Sequence, residues 1–271
     1  VKFPPQRALD SAVTAARAAG GLMRREKSAR KKINSQSQHD IKLELDVRCQ
    51  KLIEKSLLRA FPDSAVLGEE GVAGRAEAPL RWVVDPIDGT VNFAYGIPHA
   101  CVSIALQQRL ESGEFSTMVG VVYDPFCDEL WTALRGGPAR LNRKVIHASR
   151  RSKLAESIVA IGFSKDRASL RENLPVFNAL VQRVRKIRMM GAAALALVYV
   201  ASGRFDAYIE SGISLWDIAA GGLILECAGG EFWHRPWPGS AKYRMIANNG
   251  LLRGKLERIA RATGRSGAMV A

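Results

Sequence analysis

The sequence has no unbroken apolar run of ~18 residues or more, the length a membrane-crossing helix needs, so no span is expected. Val1 to Gly20 is alanine-rich but broken by Arg7, Asp10 and Arg17, and it lacks the apolar block of a secretory signal. Cysteine is scarce. Cys49, Cys101, Cys127 and Cys227 lie far apart with no zinc-type spacing, which reads as reduced thiols in a cytoplasmic protein. Aromatic residues are only 7%, so a core drawn from the 47% hydrophobic residues must lean on Ala, Val, Leu and Ile. Histidine is also sparse. His39, His99, His147 and His234 are scattered and read as structural. Neither a Ser-His-Asp set nor a Cys-x-x-x-x-x-Arg motif is present, which removes the usual covalent routes to hydrolysis.

Acidic charge is in the minority, with 26 Asp and Glu against 40 Lys and Arg, for a net charge of +14. Basic clusters at Arg24–Lys32, Arg140–Lys153, Arg183–Arg188 and Arg253–Arg265 attract anions, nucleic acid among them. They carry no interleaved aromatics and no nucleic-acid motif, so solvated faces are the preferred reading.

The 271 residues suit one large domain or two closely joined ones, at roughly 150 residues each. Apolar spacing predicts helices over Leu9–Met23 and Asp46–Ala60, the second stopped by Phe61-Pro62-Asp63, with Ser28–His39 between them as a mobile polar loop. Ala65–Leu67, Arg81–Val84, Cys101–Leu106, Met118–Tyr123 and Glu129–Leu134 read as strands whose short loops favour an antiparallel sheet. Beyond residue 150 the texture changes. Strands at Ile158–Ile161, Ala207–Ile209 and Met245–Ala247 alternate with helices at Ser169–Val184, Gly191–Ala201, Ile218–Cys227 and Leu251–Thr263, which suggests a layered second half. The expected division is 1–150 and 151–271.

Acidic residues, though few, sit in telling places. In Val83-Val84-Asp85-Pro86-Ile87-Asp88-Gly89-Thr90 a strand ends in two carboxylates that can converge on one point. Hard cations such as magnesium take oxygen ligands of this kind, supplemented by backbone carbonyls, which Pro86 helps expose. Gly89 and Thr90 can offer backbone N–H groups to a phosphate. Gly68-Glu69-Glu70-Gly71 is a second acidic site, where adjacent like charges call for solvent or a cation. Asp217, in Ser214-Leu215-Trp216-Asp217, opens a small-residue helix, where the helix dipole favours a carboxylate in any case. Thinning such a crowded acidic site, as in Asp88→Asn, is expected to abolish turnover and even to raise the melting temperature without metal.

Together these segments resemble the inositol monophosphatase family. Gly68-Glu69-Glu70, Asp85-Pro86-Ile87-Asp88-Gly89-Thr90 with Asn92-Phe93, and Trp216-Asp217 with its Ala-Gly-Gly helix resemble three of its motifs. Asp46, Gly191-Ala192-Ala193 and Asp206-Ala207-Tyr208-Ile209-Glu210 also match, in order, from about residue 8 to residue 250. The resemblance implies an αβαβα sandwich, an N-terminal α+β half joined to an α/β half with the active site between them, and commonly a homodimer. It implies two or three magnesium ions. Glu69, Asp85 and the carbonyl of Ile87 would hold the first, Asp85, Asp88 and Asp217 the second, with a weaker third on Glu69. Thr90 and Glu69, with Asp46 behind Thr90, would activate the attacking water. Gly89 and Thr90 would hold phosphate oxygens, and Asp88, Gly191, Ala193, Glu210 and Asp217 would face the substrate. Two departures stand out. Ala192 occupies a place where many members carry Thr or Ser, and the segment from His39 to Asp46 brings in Lys42 and Glu44.

The implied reaction is metal-assisted hydrolysis of inositol monophosphate or a related polyol phosphate. Family relatives that use fructose 1,6-bisphosphate, histidinol phosphate or adenosine 3',5'-bisphosphate share the same core. Glu210 favours an uncharged, hydroxyl-rich ring over a second phosphate. A rival of another class is a nucleic-acid-associated regulatory protein that retains the fold. The +14 charge motivates it and the intact acidic set argues against it.

Overall fold

Alanine spacing builds the first layer. In a computed structural model, which describes residues 3–27, 33–36, 41–163, 167–237 and 239–263, helix α1 (Pro5–Glu26) buries Ala8, Ala12, Ala15, Ala16, Ala19 and Met23 on one face. Pro5 suits the first helical turn, where its missing N–H would have no partner. The small face lets α1 lie close to its sheet: a Cβ on Gly20 would stand 2.6 Å from the Tyr123 ring. Helix α2 (Glu44–Ala60) packs beside it, burying Leu45, Cys49, Ile53 and Leu57 and ending at Phe61. Between the helices, β1 (Ile33–Gln36) pairs with β2 (Ile41–Leu43). This corrects the expectation of a loop there. The polar side chains gave no alternation to betray a short hairpin. The rest of the Ser28–His39 stretch, and Asp40, lie outside the described residues.

Both helices cover one face of an eight-stranded sheet made of β3 (Ala65–Gly68), β4 (Gly71–Gly74), β5 (Leu80–Asp88), β6 (Cys101–Arg109), β7 (Phe115–Asp124), β8 (Glu129–Leu134), β9 (Arg140–Leu141) and β10 (Lys144–Val145), in the order β10-β9-β8-β7-β6-β5-β3-β4. Its neighbouring strands pair antiparallel with a single exception. The edge strand β4, too small and glycine-rich to announce itself, turns the chain back, and β5 then pairs parallel with β3, Gly68 opposite Val84. That exception positions the site, because the C-terminal ends of β3 and β5 emerge side by side. Glu69 donates its backbone N–H to the Val84 carbonyl at 3.2 Å.

The central layer is a pair of helices, α5 (Ala193–Ala201) and α6 (Leu215–Cys227), apolar almost all round because both of their faces are covered. A Cβ on Gly221 would meet Leu197 at 2.7 Å, so glycine allows their close crossing. Beyond them lies a five-stranded mixed sheet of β11 (Ile158–Ile161), β12 (Lys186–Arg188), β13 (Ala207–Ile213), β14 (Glu231–Pro236) and β15 (Tyr243–Asn248), ordered β12-β11-β13-β15-β14. Strands β12 and β14 went unread in the sequence, both being rich in charged or aromatic residues at an edge. Helices α4 (Arg167–Val181) and α7 (Arg253–Ala262) close the outer face, which completes the αβαβα sandwich. Residues 65–145 supply the first sheet and residues 158–248 the second, yet the core does not divide between them. Val83 and Val122 share one cluster with Leu197, Ile224 and Met245. The connecting segment is tied down by buried Asp206, which accepts hydrogen bonds from Arg151 Nε and the Ile158 N–H, both at 2.7 Å. No helix among the described residues is long and apolar enough to cross a membrane.

Candidate active site

Five carboxylates, two from β5 and one each from α2, the turn after β3 and α6, converge where β5 meets α3 (Thr90–Ala94). Two of them, Asp46 and Asp217, occupy the same position on their helices. Each sits in the first turn and accepts the N–H of the residue that precedes its helix, Leu43 to Asp46 at 2.6 Å and Ser214 to Asp217 at 2.8 Å. The dipole reading of Asp217 is therefore correct as far as it goes, but its charge also faces Asp85 and Asp88. Asp85 ends the regular part of β5 and accepts the Ile87 N–H at 3.0 Å. Asp88 follows a register break in the β5–β6 pairing and reaches across to α5. Its two oxygens take the N–H groups of Ala193 at 3.0 Å and Ala194 at 2.8 Å, and Cys101 Sγ donates to it at 3.5 Å. Glu69 joins them from the end of β3, close enough that its charge raises Asp46, Asp85 and Asp88 alike.

The clustering carries an electrostatic signature. Burial pushes the Asp46 carboxyl up to about 7, against the pull of the Leu43 N–H and with help from Glu69 and Glu70. Burial likewise pushes Asp88 up to about 6, held down by Ala193 and Ala194, and Asp217 up to about 7, with Asp88 adding to the rise. Asp85 is raised well above the carboxylate range, by burial and then by Glu69, Asp88 and Asp217. Burial and mutual repulsion both disfavour the charged forms of these carboxylates, and a nearby positive charge would favour them. Among the described residues no three acidic, histidine or cysteine side chains stand in a ready-made coordination arrangement. The aspartates accept hydrogen bonds from nearby backbone N–H groups. The donor set is wholly oxygen, which suits a hard divalent cation.

Gly89, at φ 91°, precedes α3. A Cβ there would meet the His99 carbonyl at 2.8 Å, so this turn demands glycine. Thr90 Oγ1 donates to the Ile87 carbonyl at 2.8 Å and lies 3.4 Å from Asp46 Oδ1. Beside this centre opens a cleft of about 420 Å³ that Asp88, Gly191, Ala193, Glu210 and Asp217 share, with Phe163, Met189 and Met190 on its apolar wall. Tyr208 donates its hydroxyl to Glu210, whose carboxyl burial pushes up to about 8. The carboxyl fills the space that a side chain at Gly162 would need.

Of the residues predicted from the sequence, Asp46, Glu69, Asp85, Asp88 and Asp217 act on one another electrostatically, and Asp88, Gly191, Ala193, Glu210 and Asp217 line the cleft, whereas Asp206 lies apart, bonded to Arg151 and Ile158. Several supports were not foreseen. Gln50 accepts the Glu70 N–H at 2.8 Å and donates to the Gly71 carbonyl at 3.2 Å, fixing the turn that carries Glu69. Asn92 donates to the carbonyls of His99 at 2.9 Å and Met190 at 2.8 Å, tying α3 to the segment that leads into α5. Ala194, Cys101 and Gly162 also escaped, because small or apolar types give no local signal of a polar role; Asn92 and Tyr208 stood in matching motifs but without a role. His39 lies outside the described residues, and Lys42 lies in β2 opposite Ser35.

The profile of the inositol monophosphatase family matches residues 5–266. The chain belongs to the inositol monophosphatase family. Its relatives there include Nus factor SuhB of Xylella fastidiosa, 41% identical over 226 residues that cover 82% of this chain and 80% of that protein. Inositol monophosphatase 1 of Solanum lycopersicum is 38% identical over 229 residues, covering 82% of each. Among solved structures, the extragenic suppressor protein suhB of Bartonella henselae superposes with a TM-score of 0.84 at 33% identity, over 93% of this chain and 97% of that one. Inositol monophosphatase from Anabaena gives 0.80 at 34% identity, over 97% and 98%. The family shares the layered fold described above.

Proposed function

We propose that this chain is a phosphomonoesterase that hydrolyses inositol monophosphate or a similar phosphorylated polyol, with magnesium as its cation. The observation that carries the reading is the convergence of Asp46, Glu69, Asp85, Asp88 and Asp217 beside a cleft that ends at Glu210. Glu69, Asp85, Asp88, Asp217 and the Ile87 carbonyl would hold two or three ions. When bound, magnesium offsets the charge of the phosphate and makes a water acidic enough to attack at neutral pH.

The chain's own residues do the rest. Gly89 and Thr90 would bind phosphate oxygens through their backbone N–H groups. Thr90 Oγ1 would accept a hydrogen bond from the attacking water, while its own proton rests on the Ile87 carbonyl or passes to Asp46. Glu69 would orient the same water. One water is consumed, the ester P–O bond breaks, and the alcohol leaves with a proton. Glu210, steadied by Tyr208, and the N-terminal turn of α5 would face the ring hydroxyls, while Phe163, Met189 and Met190 would lie against its C–H surface. Ala192 supplies no hydroxyl for that purpose. A carboxylate facing the leaving group disfavours substrates with a second phosphate. The reading includes a homodimer, on the strength of the family relationship, and a reducing, cytoplasmic setting, which suits the four free cysteines. A phosphate-release screen over a panel of phosphomonoesters with magnesium tests it. Turnover of inositol monophosphate supports it, and preference for a bisphosphate would reassign the substrate.

A second reading draws on two facts, the +14 charge and the Nus factor name of the Xylella relative. A regulatory protein of that kind would bind RNA with a steep salt dependence and turn over no phosphomonoester.

A further inference from the structure

Lys242 stands where the β14–β15 hairpin closes. Its carbonyl accepts the Trp237 N–H at 2.8 Å and its own N–H donates to Ser240 Oγ at 3.1 Å, which fixes its backbone. Its ammonium donates to Ser214 Oγ at 2.5 Å and lies 5.9 Å from the centroid of the Trp216 ring. Ser214 caps α6, and its N–H is the one that holds Asp217. The ammonium is therefore docked on the turn that carries a carboxylate of the cleft. Its nearest basic neighbour on the strand, Arg244, is engaged by Glu172. The positive charge of Lys242 thus sits one residue's reach from Asp217 and close enough to act on both Asp217 and Glu210.

We infer that Lys242 is a fixed counter-charge for the Asp217–Glu210 side of the cleft and weakens the hold of that side on a divalent cation. The inference rests on the cation-binding reading of the site. A second positive charge brought to a carboxylate that already faces an ammonium meets repulsion, and the carboxylate has less attraction to give. Because the lysine stem is exposed, solvent screens the effect and keeps it modest. The motifs around Asp85 and Asp217 give no hint of this residue, which reaches the site only because β15 pairs with β13 and the hairpin folds over α6.

The test is calorimetric titration of manganese or magnesium into the full chain without substrate, comparing the wild type with K242M, K242Q and K242R. The two neutral variants are expected to bind about two- to fivefold more tightly at low salt, with the gain shrinking at ~0.5 M salt, and K242R to match the wild type. Thermal unfolding of each variant checks that it is folded. Unchanged or weaker binding in both neutral variants overturns the inference. So does K242R binding as tightly as K242M, which would make the effect one of packing. A wild type that binds no divalent cation overturns the reading of the whole site, whereas wild-type binding unaltered by K242M overturns the role of Lys242 alone.

Discussion

Thr90 Oγ1 donates its single proton to the Ile87 carbonyl at 2.8 Å while Asp46 Oδ1 stands 3.4 Å from the same oxygen. One hydroxyl proton thus has two acceptors, and the nearer one is a backbone carbonyl rather than the carboxylate. Asp46 is fixed independently by the Leu43 N–H, so it can wait at that distance without help from Thr90.

Thr90→Ala is expected to lower kcat by about 10²–10⁴-fold with a small change in KM, because in the proposed reaction the hydroxyl would act on the water and not on the leaving group. Asp46→Asn should reproduce much of that loss, and the double mutant should be little worse than Thr90→Ala alone. Steady-state kinetics of the cycle check this. Additive losses would place Asp46 outside the relay.

Two asparagine substitutions should move stability in opposite directions in the metal-free protein. Asp85 accepts one backbone N–H, from Ile87, and meets Asp217 side chain to side chain, so Asp85→Asn keeps both contacts and removes a charge from a crowded centre. Its Tm should rise, by about 2–4 °C. The sequence alone suggested the same of Asp88. The structure reverses that expectation, because both Asp88 oxygens accept N–H groups from α5 and an amide nitrogen would face one of them. Asp88→Asn should cost about 1–3 kcal/mol and lower Tm. Calorimetric scans of chelator-treated protein separate the two, and both variants should lose turnover with magnesium.

Gly162→Ala should raise KM far more than it lowers kcat. A Cβ there would stand 1.8 Å from Glu210 Oε2, so the carboxyl proposed to face the substrate must move while the acidic centre stays intact. Tyr208→Phe should produce a milder form of the same defect, since it removes the hydroxyl donated to Glu210. Substrate-saturation curves for both variants check the split; a loss confined to kcat would show that Glu210 serves the chemistry instead.

How legible was this in the sequence? Asp85, Asp88, Glu69 and Asp217 could be seen as acidic residues at strand ends and a helix start, but each alone also fits an ordinary turn or cap, and it was the resemblance to the inositol monophosphatase family that joined them into one expected site. The helices with one apolar face, α1 and α2, were legible through their spacing. What stayed hidden has a common cause. Cys101, Ala194 and Gly162 act through a thiol, a backbone N–H and an absent side chain, none of which leaves a mark in a residue pattern. Lys242 looked like any surface lysine until the hairpin brought it to Ser214. The parallel pairing of β3 with β5 was obscured because β4 is four residues long and its glycines, Gly71 and Gly74, broke the alternation that marks a strand.

The central claim is that the acidic centre works through a divalent cation on a phosphomonoester. Phosphate release from inositol monophosphate, measured on purified protein before chelation, after chelation and after magnesium is restored, tests it most directly. The account predicts turnover that disappears with the metal and returns with it. Undiminished release from metal-free protein, or no release under any of the three conditions across a panel of phosphomonoesters, would contradict it.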